Sequence, residues 1–152
     1  MLKIFVDGDA CPVKDEVYRV AKRYEMTVTV IANAPMRVPA AEWVTLVVVK
    51  GNYEAADDWI AEHVAADDIV ITSDIPLASR CLEKQAHVLD ARGGAFSAAS
   101  IGSALASREL MSQLRDSGAI TGGPAPYSKQ DRSKFLQTLD QTIQKLRRKK
   151  QS

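Results

Sequence analysis

The chain opens on an almost unbroken apolar run, Met1-Leu2-Lys3-Ile4-Phe5-Val6, that passes straight into Asp7-Gly8-Asp9 and then Cys11-Pro12. Such a run predicts a buried strand, here ending in two carboxylates, with Pro12 suited to the first turn of a following helix. Val13, Val17, Val20, Ala21 and Tyr24 then recur at helical spacing, with Lys14, Asp15, Arg19, Lys22 and Arg23 on the opposite side. Residues 27–32 are a β-branched run broken afterwards by Asn33, Pro35 and Pro39. Residues 43–49 predict a third strand, nearly continuous in apolar character, as where both faces of a sheet are covered.

The alternation continues. Residues 54–64 predict a helix, 68–72 a fourth strand, 75–84 a helix and 87–89 a fifth strand. Strands alternating with helices imply right-handed crossovers and a parallel sheet, hence an α/β fold. Beyond Arg92-Gly93-Gly94 the pattern becomes helical: two C-terminal helices over about 98–148, interrupted near Gly118 and Gly122-Gly123-Pro124, are expected to pack on the sheet, with 149–152 frayed. No internal repeat divides the chain, so residues 1–152 read as one domain.

Composition narrows the function classes. The 152 residues carry a formal net charge of +1, so global charge does not advertise a nucleic-acid partner. Lys145, Arg147, Arg148, Lys149 and Lys150 crowd the C-terminus, where a basic helix end complements the negative pole of the helix dipole. Cys11 and Cys81 are the only cysteines, too few for a disulfide framework and without zinc-site spacing, which fits a reduced cytoplasm. The opening run lacks the features of a signal peptide, and no stretch approaches a membrane span. A soluble, cytoplasmic protein is expected.

The candidate chemistry is acidic. In an open α/β sheet ligands bind at the carboxyl ends of the strands, where Asp7 and Asp9 fall. Residues 69–76 repeat the arrangement, with Asp74 after an apolar run and Pro76 just beyond; taken alone, Asp74 is also an excellent helix N-cap. On the helix over 54–64, Asp57 lies in line with Ile60 and Val64 on the apolar stripe, whereas Asp58 falls on a more exposed face. An acid on the core side of a first helical turn must reach the rim of the sheet or be buried at a cost. Asp7, Asp9, Asp57 and Asp74 are therefore expected to converge at one rim. Four carboxylates in a small volume raise one another's pKa unless a cation relieves them. All-oxygen ligands suit Mg²⁺ or Mn²⁺, which activate water and stabilise phosphoryl displacement, so phosphodiester hydrolysis is the natural reaction class.

With these residues assembled, the sequence resembles the bacterial YaiI/YqxD family, whose members are largely of unknown function and whose fold is similar to PIN-type nucleases. The resemblance rests on Val6-Asp7-Gly8-Asp9-Ala10-Cys11-Pro12-Val13, Ala56-Asp57-Asp58-Trp59-Ile60, Ile69-Val70-Ile71-Thr72-Ser73-Asp74-Ile75-Pro76, Arg92-Gly93 and Thr121-Gly122-Gly123-Pro124. It implies a PIN-like three-layer sandwich with a five-stranded parallel sheet in the order 3-2-1-4-5. It also implies Asp7, Asp57 and Asp74 as metal ligands, with Asp9 as an additional ligand or a group behind them. The family commonly has Ala where this chain has Gly8. RNA is favoured over DNA as substrate by analogy with PIN-type enzymes.

The remaining polar residues carry less. Cys11 lacks a partner base, since His63 and His87 are the only histidines, and reads as packing. Lys14, Arg92, Arg108, Lys129 and Arg132 are basic residues near predicted loops or helix starts and are candidates to hold a substrate phosphate, although each also suits a solvated or salt-bridged role. Thr72 and Ser73 beside Asp74 could orient a ligand or a water. Two alternatives to a metal-dependent nuclease stand: a non-catalytic module binding nucleic acid or nucleotide, and a phosphatase of the haloacid-dehalogenase type with Asp7 as nucleophile, which fits Asp7-Gly8-Asp9 but leaves Asp57 unexplained.

Overall fold

A computed structural model of the chain describes residues 2–52, 54–118 and 126–151. The elements run β1 (Lys3–Asp7), α1 (Lys14–Arg23), β2 (Thr27–Ala32), β3 (Val44–Val48), α2 (Ala55–His63), β4 (Ile69–Ile71), α3 (Ile75–Glu83), β5 (His87–Leu89), β6 (Ala95–Phe96), α4 (Ile101–Asp116) and α5 (Lys129–Gln151). The expected glycine turn at Gly122-Gly123 lies outside the described residues.

The central apolar runs are strands because both faces of the sheet are covered there; β3, at the edge, was expected to be covered on both faces too, but Thr45 and Val48 are exposed. Along β1, Ile4 and Val6 enter one apolar layer and Phe5 the other; along β4, Ile69 and Ile71 divide from Val70 in the same way. The first layer is roofed by Val13, by Val17 and Val20 of α1 and by Phe135, Leu139 and Ile143 of α5. The second is roofed by Ala56 and Ile60 of α2 and by Leu77 and Cys81 of α3. Burying each large aliphatic side chain stabilises the fold by about 1.5–3 kcal/mol.

Several expectations are corrected. The sheet has six strands in the order β3-β2-β1-β4-β5-β6: the five parallel strands are joined by β6, antiparallel to β5, so the sheet is mixed. A tight turn makes that reversal. The Asp90 carboxylate accepts from the Arg92 and Gly94 backbone N–H groups, each at 2.9 Å, and Gly93 sits at φ +87° with α5 against it.

The second correction concerns α4, which packs on α3 with none of its residues buried and leaves Leu110 55% and Met111 43% exposed. Its apolar positions are scattered around the helix, so only Ile101, Ala104, Leu105 and Leu114 are even half-buried. The third is at the C-terminus, where α5 continues to Gln151 through the stretch expected to fray, and Lys149 Nζ donates to both Asp67 carboxylate oxygens at 3.1 and 3.3 Å. Among the described residues no helix is long and apolar enough to cross a membrane.

Between β1 and α1 the chain does not enter a helix at Pro12 as expected. It first makes a 3-10 turn over Gly8–Ala10, and α1 begins only at Lys14. Gly8 is pressed on β2, where a Cβ would stand 2.7 Å from Val30 Cγ1 and 3.0 Å from the Ile31 carbonyl oxygen. Residue 8 has no room for the alanine common in the resembled family unless Val30 shifts.

Candidate functional site

Asp7 closes β1, and Asp74 stands just beyond β4, the strand hydrogen-bonded directly beside it with Val6 opposite Ile71. Parallel neighbours in this register bring their carboxyl ends together. Thr72, almost fully buried, ties them: its hydroxyl donates to Asp7 Oδ2 at 2.9 Å and accepts from the Asp74 backbone N–H at 3.0 Å. Asp74 Oδ1 in turn accepts from Leu77 N–H at 2.8 Å and caps α3, so the capping role weighed for this residue is real and coexists with a place at the rim. Asp7, Cys11, Thr72, Asp74 and Ala91 line a cleft of about 190 Å³.

Asp57 reaches the same rim from the first turn of α2, whose Ala56 and Ile60 are held in the second apolar layer. Its pKa is pushed up to about 7, first by burial, then by the charges of Asp74, Asp7 and Asp58, with Arg80 opposing. The Asp7 carboxyl is raised as well; burial is the main cause, the Thr72 hydrogen bond opposes it, and Asp74 and Asp9 add to it. Asp58 turns outward to Arg80 at 2.8 Å, as its position on the helix predicted.

Asp9 departs from the expected cluster. The 3-10 turn aims its carboxylate at the end of β2, where both oxygens accept from the Asn33 backbone N–H at 3.1 and 3.2 Å. The fourfold convergence is thereby reduced to Asp7, Asp57 and Asp74. The charges of Asp74 and Asp7 bear on Asp57, and those of Asp74 and Asp9 on Asp7, but among the described residues no group of three or more His, Cys, Asp or Glu side chains is gathered closely enough to hold a metal ion.

The basic candidates divide. Lys14 Nζ donates to the carbonyl oxygens of Gly8 and Cys11 at 3.2 and 3.0 Å and so braces the loop behind Asp7. Arg92 pairs with Asp131 at 2.9 Å and Arg132 with Glu16 at 3.1 Å. Both guanidinium groups lie over the ring of Tyr127, at 5.8 and 6.0 Å from its centroid, and the Tyr127 hydroxyl donates to the Ala91 carbonyl oxygen on the cleft wall at 2.8 Å. Lys129 opens α5, exposed, and Arg108 is exposed on α4.

Cys11 is half-buried at the cleft, and burial pushes its thiol pKa up, against a nucleophilic role. Neither histidine supplies a base here, since His63 stacks on Trp59 at 3.8 Å and His87 stands 3.6 Å from Asp67. Sequence reasoning passed over Tyr127. Its only signal was an aromatic residue at a predicted helix start, just before Ser128 and among Lys129 and Arg132.

The strand-end acids, the Asp57 helix and the Arg92-Gly93 turn all fall within a stretch, residues 5–145, that matches the profile described as "Uncharacterized BCR, YaiI/YqxD family". The chain belongs to the YaiI/YqxD family. The match runs from β1 into α5 and so covers the whole rim. The curated relatives of this YaiI/YqxD chain include a UPF0178 protein of Rhodospirillum centenum, 55% identical over 97% of this chain and 99% of the relative. Another, from Rhodopseudomonas palustris, is 52% identical over 99% of this chain and 92% of the relative. A third, from Paramagnetospirillum magneticum, is 53% identical over 97% and 98%. No solved structure matches the chain.

Proposed function

We propose that the rim is the site of a divalent-cation-dependent phosphodiesterase acting on nucleic acid, RNA before DNA, in a PIN-like setting. The observation that carries this reading is the placement of three carboxylates from three elements: Asp7 and Asp74 on one cleft, joined through Thr72, with Asp57 in electrostatic reach of both. The donor set fits a hard cation in kind, being all oxygen, and such an ion offsets the burial and the mutual repulsion that raise Asp7 and Asp57. Asp7, Asp57 and Asp74 would hold Mg²⁺ or Mn²⁺, and Asp9, committed to Asn33, is left out of the set.

When bound, the ion supplies an activated water and neutralises charge on the phosphate. The chain's own residues orient the acids. Thr72 fixes the Asp7 carboxylate, and the cap to Leu77 fixes Asp74.

A second reading, a module that binds nucleic acid without turnover, is favoured by one observation: the acids are not drawn together. One experiment separates the two. The protein is melted with increasing Mn²⁺ or Mg²⁺ and incubated with labelled single-stranded RNA, beside Asp57→Asn and Asp74→Asn. The phosphodiesterase reading expects a rise in melting temperature with the metal and cleavage of RNA, both reduced at least tenfold in sensitivity or rate in the variants. A metal-induced rise without cleavage selects the module, and no response to metal together with no cleavage overturns the phosphodiesterase.

A further inference from the structure

We propose that the turn at Ala91–Gly93, Tyr127 and the first two turns of α5 form the track on which a single-stranded nucleic acid lies beside the acidic cleft. The inference rests on the reading of that cleft as a phosphodiester site and assigns the substrate strand its own binding residues.

Contiguity is the first support. Ala91 lines the cleft, and its carbonyl oxygen anchors the Tyr127 hydroxyl. Arg92 follows Ala91 in sequence and reaches Asp131 on α5, while Gly93 lies so close to Lys134 that a Cβ there would stand 2.6 Å from Lys134 Cγ. Cleft wall, aromatic ring and helix are therefore one continuous surface.

Chemistry is the second. Lys129, Gln130, Ser133, Lys134 and Gln137 line a shallow groove of about 360 Å³ along one face of α5. It offers two cations, two amides and a hydroxyl with no carboxylate among them. A lining of donors without acids suits a phosphate backbone and repels no part of it. Outside the groove, the half-buried ring of Tyr127 lies under the guanidinium groups of Arg92 and Arg132. Guanidinium planes laid over an aromatic ring serve single strands, because they stack on bases and pair with phosphate. A duplex hides its bases from such planes, so the strand is single.

The ion pairs set the strength of the track. Arg92 is held by the partly exposed Asp131, where a phosphate exchanges for the carboxylate at small cost, whereas Arg132 is held by the buried Glu16, which gives it up only at a greater cost. Glu16 thus competes with the strand for Arg132. That competition yields a readout that a purely structural role for the pair would not give.

The test is fluorescence anisotropy with end-labelled 12-nucleotide oligouridylate and oligothymidylate in EDTA, over a range of salt, with melting temperatures recorded for every variant. The wild type is expected to bind, and Arg92→Gln with Arg132→Gln to weaken binding at least tenfold. Losing two phosphate contacts lowers the steepness of log K against log salt by about 1.4. Lys134→Gln is expected to lower it by about 0.7, and Tyr127→Leu to weaken binding about tenfold. Glu16→Gln, which leaves Arg132 in place, is expected to tighten binding. The two oligonucleotides show whether ribose matters.

Wild-type protein that fails to bind either strand overturns the proposal, as does an Arg92→Gln/Arg132→Gln variant that is folded and binds with unchanged affinity and salt slope. Weaker binding in Glu16→Gln also counts against it. The cleft is judged separately. Asp57→Asn is expected to keep strand binding in EDTA, so binding without cleavage discards the phosphodiesterase and keeps the track, and cleavage that survives loss of the basic residues does the reverse.

Discussion

Asp57 titrates near neutrality because α2 carries it into a partly buried rim already occupied by Asp7 and Asp74. Between the ordinary value of 3.8 and about 7, the folded chain binds more protons at this carboxyl than the unfolded chain does. Stability from this group therefore falls as pH rises through that window, with the penalty absent below it and complete above it. Asp57→Asn is expected to melt higher than wild type at pH 8 in EDTA and level with it near pH 4, which thermal melts across pH will check. Asp7, Asp57 and Asp74 were legible in the sequence, the first and last as acids ending apolar runs and Asp57 as an acid on an apolar stripe. The direction of Asp9 was not, because it depends on a 3-10 turn forced by the press of Gly8 against β2.

Among the elements, α4 is the more apolar sequence and α5 the more polar, yet it is α5 that enters the core. Phe135, Leu139 and Ile143 recur on one side of α5 and are fully buried, whereas Leu110 and Met111 of α4 face solvent. Leu139→Ala is expected to cost about 2–5 kcal/mol in urea denaturation, and Leu110→Ala to stay within about 0.5 kcal/mol. The five parallel strands could be read from the chain because β-branched runs alternate with helical stretches. β6 could not. Two residues show no periodicity, and their pairing is imposed by the Asp90-centred turn before them.

For the molecule as a whole, the sheet has two roofs and they are not equivalent in origin. One is built from α2 and α3, local to the strands they join; the other needs α5, which arrives from the end of the chain. A chain ending before Lys129 leaves the layer of Ile4, Val6 and Ile71 roofed by α1 alone and is expected to lose its cooperative melt and bind a hydrophobic dye, as calorimetry and dye fluorescence would register. Layering was legible from the doubly buried strands. Which helices roof which face was not, because it depends on crossover handedness and on side-chain contacts between residues more than a hundred positions apart.

The central place of β1 has a further consequence in time. β1 is flanked by β2 and β4, both made after it, and the face carrying Ile4 and Val6, roofed first by α1, is covered in full only when α5 has been made. At about 5–20 residues per second, Ile4 and Val6 wait several seconds for their last neighbours. Local helices can form during synthesis, but the rim that unites Asp7 with Asp74 assembles only after β4 has emerged. The opening apolar run thus waits for its full cover until α5 is made, whereas the acids behind it find their setting once β4 and the start of α3 have emerged.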